Sequence, residues 1–344
     1  MSSVVSTRVL EEKDYPAWNK LVAASPDGSI YSTPEYLDIL CQATGASFRI
    51  LAAERGGELI GGIALYEQSD PCGQLVSGRY LLYYNGFVLK LHPSRYPSVR
   101  TSVQLETLGA LEEAIAQQGF GRVRIKSRHT ISDVRIFLTR GWSVDLTYSY
   151  VVPLGDLPAL WERVEQNLRR LVTRSEKEGL QFTFDDDFDA FYSLHQQTHL
   201  RKGAAIYLEY CAFRKYFERL RASNLARLFQ VRNLEGRVMS TQLVLLGSHP
   251  VSHTVAAAAD PEYLKSGATA FLRWKCFEWL AEANYQANDL TDAELNSVTH
   301  FKSQLGGDLQ MNLMIRTRDN MAFQLRDSFY RTASSVKGRL RGNR

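Results

Sequence analysis

Alternating apolar and polar residues mark two similar segments of the chain, FRILAAERGGELIGGIALYE at 48–67 and ARLFQVRNLEGRVMSTQLVLLG at 226–247. In each segment, a tight turn containing Gly57 or Gly236 separates two stretches with the two-residue period of a β-strand. Both segments are therefore predicted to be β-hairpins. They lie about half a chain length apart, which indicates that one small domain occurs twice. A ligand cleft is then expected where the two copies meet.

The apolar pattern predicts a similar order of helices and strands around each hairpin. In the first half, it predicts helices at 12–24, 33–44 and 103–118, and strands at 79–89, 121–128 and 142–154. In the second half, it predicts helices at 158–177, 188–198, 208–222, 266–283 and 298–306, and strands at 250–259, 285–291 and 309–315. Helices that flank a mostly antiparallel sheet predict an α+β fold in each half.

A cluster of chain-breaking residues marks the joint between the two halves. Pro153, Gly155 and Pro158 follow the last predicted strand of the first half. The predicted domains are therefore 1–152 and 153–320, followed by a basic C-terminal helix or tail at 321–344. From residue 328 to residue 344 this tail contains five basic residues and no acidic residue. That composition is compatible with a tail that contacts tRNA or an anionic membrane surface. It is equally compatible with a tail that only keeps the protein in solution.

The composition is that of a globular protein and does not indicate a particular function. The chain has 344 residues, of which 44% are hydrophobic and 23% are charged, as in ordinary globular proteins. A net charge of +4 permits an anionic partner but does not require one. The first residues lack the apolar core of a signal peptide, and no apolar run has the length of a membrane span, so a cytoplasmic location is expected.

Cysteine and histidine positions do not indicate a metal site. The four cysteines are scattered without C-x-x-C spacing, which predicts neither a disulfide framework nor zinc. His195 and His199 form an i, i+4 pair, but the sequence offers no obvious third ligand. We therefore expect no bound metal and no tightly bound cofactor.

Four segments resemble motifs of one enzyme family. They are YSTPEYLDILCQATG at 31–45, LRRLVTRSEKEGL at 168–180, HQQTHLRKG at 195–203 and HFKSQLGG at 300–307. Their order, together with the duplication, resembles the FemAB family, in which two domains of the GNAT acetyltransferase fold form one enzyme. The resemblance implies two tandem GNAT-like domains, each a mostly antiparallel sheet flanked by helices. It also implies the transfer of an acyl or aminoacyl group onto an amine.

Two departures from the family pattern widen the choice of substrates. Members that act on peptidoglycan precursors tend to carry Gly-Pro-Val followed by Asp after the central strand of the first domain, whereas this chain has NGFVLK at 85–90. No charged helical pair of a coiled-coil arm interrupts 187–222 either. Aminoacyl-tRNA and acyl-CoA both stay open as donors. The acceptor is expected to be a peptidoglycan precursor or a polysaccharide amino sugar, with secondary metabolism, exopolysaccharide assembly and a catalytically silent binding module as alternatives.

The resemblance also implies a phosphate-binding loop before a helix. Such a loop exposes backbone N–H groups and the helix dipole to a pyrophosphate. The segment KSGATA has the expected position, and it supplies Lys265, Ser266, Gly267, Ala268 and Thr269 as candidate donor-binding residues. The match to the acetyl-CoA signature is degenerate. An ordinary helix N-terminus, capped by Ser266 or Thr269, is the alternative interpretation.

Three residues are candidates for the chemistry of transfer. By the resemblance, Lys302, which follows Phe301, neutralises the developing oxyanion or a donor phosphate. His253 and Asp289 lie on predicted strands and are the candidates for accepting the proton of the attacking amine. The alternatives are a solvated lysine, a core histidine and an aspartate that caps a turn.

Further residues are candidates for substrate contacts. Arg201 and Tyr207 follow the helix predicted at 188–198 and are able to hold an acidic or phosphorylated acceptor. Tyr84 and Asn85 end the central strand of the first half and are expected to line the cleft, unless they belong to the core. Arg169, Arg170 and Arg174 share a basic helix face, which predicts either a solvated surface or a contact with tRNA or a nucleotide sugar.

Overall fold

The computed structural model describes residues 4–330, which form ten helices and thirteen strands. The first half contains β1 (Val5–Val9), α1 (Tyr15–Ala24), α2 (Pro34–Thr44), β2 (Ser47–Arg55), β3 (Glu58–Asp70), β4 (Gly73–Val76), β5 (Phe87–Leu89), α3 (Pro97–Ala116), β6 (Arg122–Ser127), α4 (Arg135–Thr139) and β7 (Ser143–Pro153). The second half contains α5 (Leu157–Arg163), α6 (Gln166–Lys177), β8 (Gln181–Thr183), α7 (Phe188–Arg201), α8 (Tyr210–Ala222), β9 (Ala226–Arg232), β10 (Val238–Leu245), β11 (Val251–Ala259), α9 (Ala268–Glu282), β12 (Ala287–Asp292), α10 (Ser297–Ser303) and β13 (Asp308–Arg316).

The duplicated hairpin is present in both halves. β2 pairs with β3, and β9 pairs with β10, both antiparallel. The turns place Gly57 at a φ of +81° and Gly236 at +83°, which glycine adopts without a steric penalty from a β-carbon. The predicted α+β fold, with a mostly antiparallel sheet between helices, is confirmed.

Two predicted elements differ from the structure. The strand predicted at 79–89 shrinks to Phe87–Leu89, because Leu81 has a φ of +73° and the preceding residues turn. The helix predicted at 158–177 is two helices, because Val164 is extended, with a φ of −67° and a ψ of +133°, and separates α5 from α6. Burial of apolar residues on both sides of each break made the sequence pattern look continuous.

The two halves share one continuous sheet. Its strand order is β1-β2-β3-β4-β6-β13-β7-β12-β11-β10-β9-β8, with β5 paired to β3. The last strand of each half therefore lies next to the other half: β13 pairs with β6, and β7 pairs with β12. The sequence boundary predicted after residue 152 falls inside β7. Exchange of the final strands makes the junction of the halves part of the sheet itself.

Three apolar clusters hold the layers together. One lies between helices α1 and α2 of the first half and α7 and α8 of the second, and it buries Trp18, Tyr36, Phe191 and Phe213 completely. A second lies under α3 and α4, and a third lies under α5, α6 and α9. Burial of aromatic side chains across the halves fixes their relative position. Within residues 4–330, no helix is long and apolar enough to cross a membrane.

Candidate active site

A split between two neighbouring strands forms the centre of the candidate site. β11 and β12 are parallel and pair only from Val251–Ala287 to His253–Asp289. Beyond these residues, β12 turns at Thr291, which has a φ of +55°. The end of β12 stays paired with β7, whose register shifts between Asp289 and Asp292, and the carbonyl oxygens of Thr291 and Asp292 accept hydrogen bonds from outside the sheet.

Lys302 binds this end of β12. Its Nζ donates to the carbonyl oxygens of Thr291 at 2.9 Å and Asp292 at 2.6 Å. The lysine is carried by α10, which begins where the Asn296 side chain accepts a hydrogen bond from the Thr299 N–H at 3.0 Å. An ammonium group has three donors, so one remains for a further oxygen. Burial, and after it the positive charge of Arg273, lowers the pKa of Lys302 to about 8.

A buried polar network supports the same strand end from the first half of the chain. The Tyr84 hydroxyl donates to Asp289 Oδ2 at 2.8 Å and lies 3.0 Å from Ser149 Oγ. Asn312 Nδ2 donates to that Ser149 oxygen at 3.0 Å. Asp289 Oδ1 in turn accepts from the Thr291 N–H at 2.7 Å. Burial raises the pKa of Asp289, and its hydrogen bonds oppose that rise.

His253 lies inside the core beside this network. Its side chain is 0% exposed, and neither ring nitrogen has a hydrogen-bond partner. Its ring is packed 4.8 Å from Tyr31 and 5.9 Å from Tyr84, measured between centroids. Burial holds the pKa of His253 well below its usual value, so the ring is neutral. His253 Nδ1 lies 3.8 Å from Asp289 Oδ2, and the predicted role of His253 as a general base stays a prediction.

A cavity of about 1000 Å³ lies at the junction of the two halves, where the duplication predicts a cleft. Residues from both halves line it: Gln68, Ser77, Gly78, Arg79, Tyr80, Leu82, Tyr83, Lys126, Leu146, Thr147, Tyr148, Asp292, Ala293, Glu294, Leu295 and Met314. The Lys126 ammonium forms an ion pair with the Asp292 carboxylate inside this cleft. It also lies 5.4 Å from the centre of the Tyr84 ring. Asp292 therefore joins the cleft to Lys302, because its carbonyl and its carboxylate face the two lysines.

Asn85 positions β6 and does not line the cleft. Its Oδ1 accepts from the Lys126 backbone N–H at 2.8 Å, and its Nδ2 donates to the Arg124 carbonyl at 2.8 Å. The side chain is buried. Its expected contact with a substrate is replaced in the structure by pairing with the strand that carries Lys126.

The two acceptor-binding candidates of the second half lie in different surroundings. Tyr207 is partly buried and stacks on Tyr80, which lines the cleft, at a centroid distance of 4.9 Å and an angle of 18°. Burial raises the pKa of Tyr207 well above its usual value. Arg201 is exposed at the end of α7 and donates to Thr198 Oγ1 at 3.1 Å. The structure places Arg201 outside the cleft lining, whereas Tyr207 supports the wall of the cleft from behind.

The predicted phosphate-binding loop packs against α6. Gly267 has a φ of +95° and is buried, and α9 begins at Ala268. Ser266 Oγ accepts a hydrogen bond from the Ala268 N–H at 3.2 Å, whereas the N-cap position of α9 is Gly267, which has no side chain to cap the helix. Arg174 of α6 donates to the carbonyl oxygen of Ser266 at 2.5 Å. These contacts hold the loop against α6, and phosphate binding by the loop stays a prediction.

A basic groove borders this loop. Its volume is about 570 Å³, and it is lined by Trp161, Gln166, Arg169, Arg170, Thr173, Arg174 and Lys177. The basic helix face predicted from the sequence is therefore concave as well as charged. Such a surface suits a polyanionic ligand.

Several residues of the site had no signal in the sequence. Lys126, Tyr80 and Arg79 belong to no motif; Lys126 reaches the cleft from β6, and Arg79 and Tyr80 reach it from the segment between β4 and β5. Arg273 had no signal either, because a single arginine within an apolar helix pattern is not distinctive. Asp292 was apparent only as a residue near a turn.

Comparison with known proteins agrees with this architecture. Residues 162–303 match the family model described as an acetyltransferase (GNAT) domain. The crystal structure of FemX superposes with a TM-score of 0.69 at 14% identity, covering 90% of this chain and 96% of that chain. The C-terminal domain of a putative lysylphosphatidylglycerol synthetase from Agrobacterium fabrum superposes with a TM-score of 0.58 at 12% identity, covering 92% and 96%. A tandem GNAT protein from the clavulanic acid biosynthesis pathway superposes with a TM-score of 0.53 at 12% identity, covering 92% and 98%. No curated protein matches the sequence.

These likenesses define the class of the protein. It has the tandem GNAT fold, and its acetyltransferase-type domain makes it an acyltransferase. Its overall fold is that of FemX and of a tandem GNAT protein, as the resemblance of its motifs implied.

Proposed function

We propose that the protein transfers an acyl or aminoacyl group onto an amine acceptor held in the cleft between its halves. The observation that carries this proposal is the position of Lys302. Its ammonium is fixed by two carbonyl oxygens at the end of β12, and the second of these belongs to Asp292, a residue of the cleft wall. A positive charge with a free N–H at that point is suited to stabilise the negative oxygen of a tetrahedral intermediate.

Only a few residues take part in the proposed chemical step. The acceptor nitrogen attacks the carbonyl carbon, the negative charge on the carbonyl oxygen is held by Lys302, and the bond to the donor's leaving group then breaks. The amine must also lose a proton. Asp292 is the carboxylate near Lys302 that lines the cleft, whereas Asp289 is buried behind it. We therefore assign proton acceptance to Asp292, directly or through a water molecule, and a positioning role to Asp289.

Aminoacyl-tRNA is the donor that we propose. The loop expected to hold the pyrophosphate of acyl-CoA packs against α6, where Arg174 donates hydrogen bonds to the carbonyl oxygens of Lys265 and Ser266. The neighbouring groove is lined by Arg169, Arg170, Arg174 and Lys177, which suits the phosphates of an RNA end. Acyl-CoA is the alternative donor, because the GNAT fold is shared with enzymes that use it.

The acceptor that we propose is an amine of a cell-envelope precursor. The likeness to FemX and to a lysylphosphatidylglycerol synthetase domain supports a cell-envelope substrate. The cleft has the volume of a sugar or peptide acceptor, and tyrosines and cations line it. The basic residues of the C-terminal tail lie outside the described residues, and their contact with tRNA or an anionic membrane stays a prediction, as does the cytoplasmic location.

Ligand-induced stabilisation separates the donors. The melting temperature of the purified protein is to be measured with coenzyme A, acetyl-CoA, uncharged tRNA and charged tRNA, because a ligand that binds only the folded state raises it. A shift with charged tRNA supports the proposed donor, and a shift only with coenzyme A supports the alternative. No shift with any donor would contradict transfer and favour a binding module.

A matched pair of lysine variants tests the active site. Lys302→Ala is expected to lower the transfer rate by roughly 10² to 10³-fold, as the loss of an oxyanion donor does. Lys20→Ala removes an exposed lysine on α1 and serves as the control. Full activity of Lys302→Ala would disprove the assigned role.

A further inference from the structure

Beyond β13, residues 321–330 form one more helical segment. Asn320 caps its first turn, since the Asn320 Oδ1 accepts a hydrogen bond from the Phe323 N–H at 2.9 Å. The Phe323 side chain is 0% exposed, and the guanidinium groups of Arg122 and Arg326 lie 4.4 and 4.8 Å from the centre of its ring. One face of the segment is therefore packed against the first half of the chain.

Polar contacts on the same face fix the rotation of this segment. Arg326 forms an ion pair with Asp70 of β3 at 2.6 Å, and Asn320 Nδ2 donates to the carbonyl oxygen of Cys72 at 3.0 Å. Gly121 gives the segment room to approach, because a β-carbon at that position would collide with the Asn320 side chain. With this face held, the residues on the opposite side of the helix are directed away from the protein.

The opposite face of the segment is apolar and exposed. Met321, Leu325 and Phe329 follow one another at intervals of four residues, which places them along one side of a helix. Their exposed fractions are 77%, 68% and 72%. We call these three side chains the apolar stripe. Large apolar side chains gain free energy when they leave water, so a continuous row of them on the surface indicates an interaction site.

The sequence that follows the apolar stripe is basic. Residues 331–344 lie outside the described structure, and this part of the sequence contains no aspartate or glutamate. Its basic residues are Arg331, Lys337, Arg339, Arg341 and Arg344. An apolar helix face joined to a basic segment complements an anionic membrane, because apolar side chains enter the headgroup region and cations attract acidic headgroups. RNA phosphates would attract the same cations but would leave Met321 and Leu325 in water.

The apolar stripe lies near the cleft between the halves. Asp70, the partner of Arg326, is two residues along β3 from Gln68, which lines the cleft. At a rise of about 3.4 Å per residue, these two positions are about 7 Å apart. The stripe is on the far side of a helix, whose diameter is about 10 Å. A surface bound to the stripe therefore lies close to the cleft.

We propose that the apolar stripe and the basic residues after it form a docking surface for an anionic phospholipid membrane. Docking there brings the cleft close to the lipid headgroups. Delivery of the acceptor from that membrane rests on the proposed function. The docking surface itself does not, because membrane binding is measured without any transfer reaction.

The experiment is vesicle flotation of the full chain. Vesicles of phosphatidylcholine alone are compared with vesicles of phosphatidylcholine and phosphatidylglycerol, at low and at high ionic strength. The proteins are the wild type, the double variant Leu325→Ser/Phe329→Ser and the control Leu200→Ser. Leu200 is a 70% exposed leucine of α7, so the control removes an equally exposed apolar side chain from another helix.

The wild type and Leu200→Ser are expected to bind the anionic vesicles and to bind phosphatidylcholine only weakly. Leu325→Ser/Phe329→Ser is expected to lower the partition coefficient roughly ten-fold or more, because the variant loses two apolar side chains that enter the headgroup region. Its melting temperature should stay at the wild-type value, since both side chains are already exposed. High ionic strength should weaken binding of the wild type by screening.

A charge variant tests the basic part of the docking surface. Replacement of Lys337, Arg339 and Arg341 by serine is expected to remove the preference for anionic vesicles. Binding of this variant should then also lose its dependence on ionic strength. An unchanged preference would show that the basic residues do not contribute to docking.

Three results would overturn the docking surface. The first is equal binding of the wild type and Leu325→Ser/Phe329→Ser to anionic vesicles, or no binding by either. The second is binding of tRNA without binding of vesicles, which would make the basic residues an RNA contact. The third is a wild-type dimer in sedimentation velocity that binds no vesicles and that the double variant dissociates, which would make the stripe a contact between copies. Vesicle binding by a protein that transfers no acyl group would overturn the proposed function and leave the docking surface intact.

Discussion

The Tyr84 hydroxyl donates a 2.8 Å hydrogen bond to Asp289 across the junction of the two halves. The other oxygen of the carboxylate accepts from the Thr291 N–H, and the carbonyl of Thr291 accepts from Lys302. Tyr84, a residue of the first half, thereby stabilises the turn at Thr291, which in turn binds Lys302, the proposed catalytic lysine. This chain of contacts couples the packing of the halves to the geometry of the site.

Replacing Tyr84 with phenylalanine tests this coupling. We expect Tyr84→Phe to lower the free energy of unfolding by about 1 to 3 kcal/mol, because a buried carboxylate loses a donor. Urea unfolding measures the change. Tyr80→Phe is the control, since Tyr80 is 56% exposed. Equal effects of the two substitutions would mean that the hydrogen bond to Asp289 contributes nothing.

Alkaline pH is expected to reduce activity through Lys302. The pKa of this amine is about 8 in the folded protein, so the positive charge that stabilises the oxyanion is lost as the pH rises through 8. The rate of transfer should fall over that range. Lys302→Arg keeps its charge at these pH values and should shift the fall to higher pH. An unchanged alkaline limb in that variant would show that another group titrates.

Stability should change in the opposite direction over the same pH range. The folded pKa of Lys302 is about 8, below its ordinary value of 10.5, so the unfolded chain binds more protons between these values. The contribution of Lys302 to stability therefore rises from pH 8 to 10.5. Chemical denaturation at several pH values separates this effect from the loss of activity. A parallel loss of both would indicate unfolding instead of deprotonation.

Acid pH is expected to destabilise the protein through His253. The folded pKa of His253 is far below its ordinary value of 6.5, so below pH 6.5 the unfolded chain binds a proton that the folded protein does not. Stability should fall by up to about 1.4 kcal/mol per pH unit for this one proton. His253→Leu should reduce the slope by that amount while transfer activity persists. Loss of transfer in the folded variant would restore the catalytic role predicted from the sequence.

Two glycines separate backbone strain from packing at the loop before α9. Gly57 and Gly267 both have positive φ angles, but a β-carbon on Gly57 meets nothing within 4 Å, whereas on Gly267 it would lie 3.1 Å from Ser175 Oγ. Gly57→Ala is expected to cost about 1 kcal/mol in unfolding free energy from backbone strain alone. Gly267→Ala should cost more, because α6 cannot approach as closely. Equal costs would mean that α6 does not constrain the loop.

The local sequence predicted most of the fold correctly. The two hairpins, their glycine turns and the order of helices follow from short-range periodicity, and the structure has them all. The errors are equally local. Neither Val164, where the helix is interrupted, nor Leu81, where the chain turns, is a proline or a glycine. The residue types at these positions therefore did not predict a break.

The site was predicted in part. Tyr84, Asp289 and Lys302 were chosen from separate stretches of the chain, and the structure connects them through Thr291. The burial of His253 and the packing of Gly267 against α6 were not foreseeable, because both depend on which distant elements cover them. Whether the chosen residues carry transfer stays a prediction for the variants above.

The sequence by itself determined the elements, the duplication and the resemblance to tandem GNAT proteins, since periodicity, turn residues and motif order are local properties. Only the tertiary structure decided where the chemistry lies. Exchange of β7 and β13 between the halves brings Lys126 to Asp292, and the packing of α9 against the sheet buries Arg273. These contacts join residues that are far apart in the chain, and burial, which sets their charges and pKa values, exists only after the layers have packed.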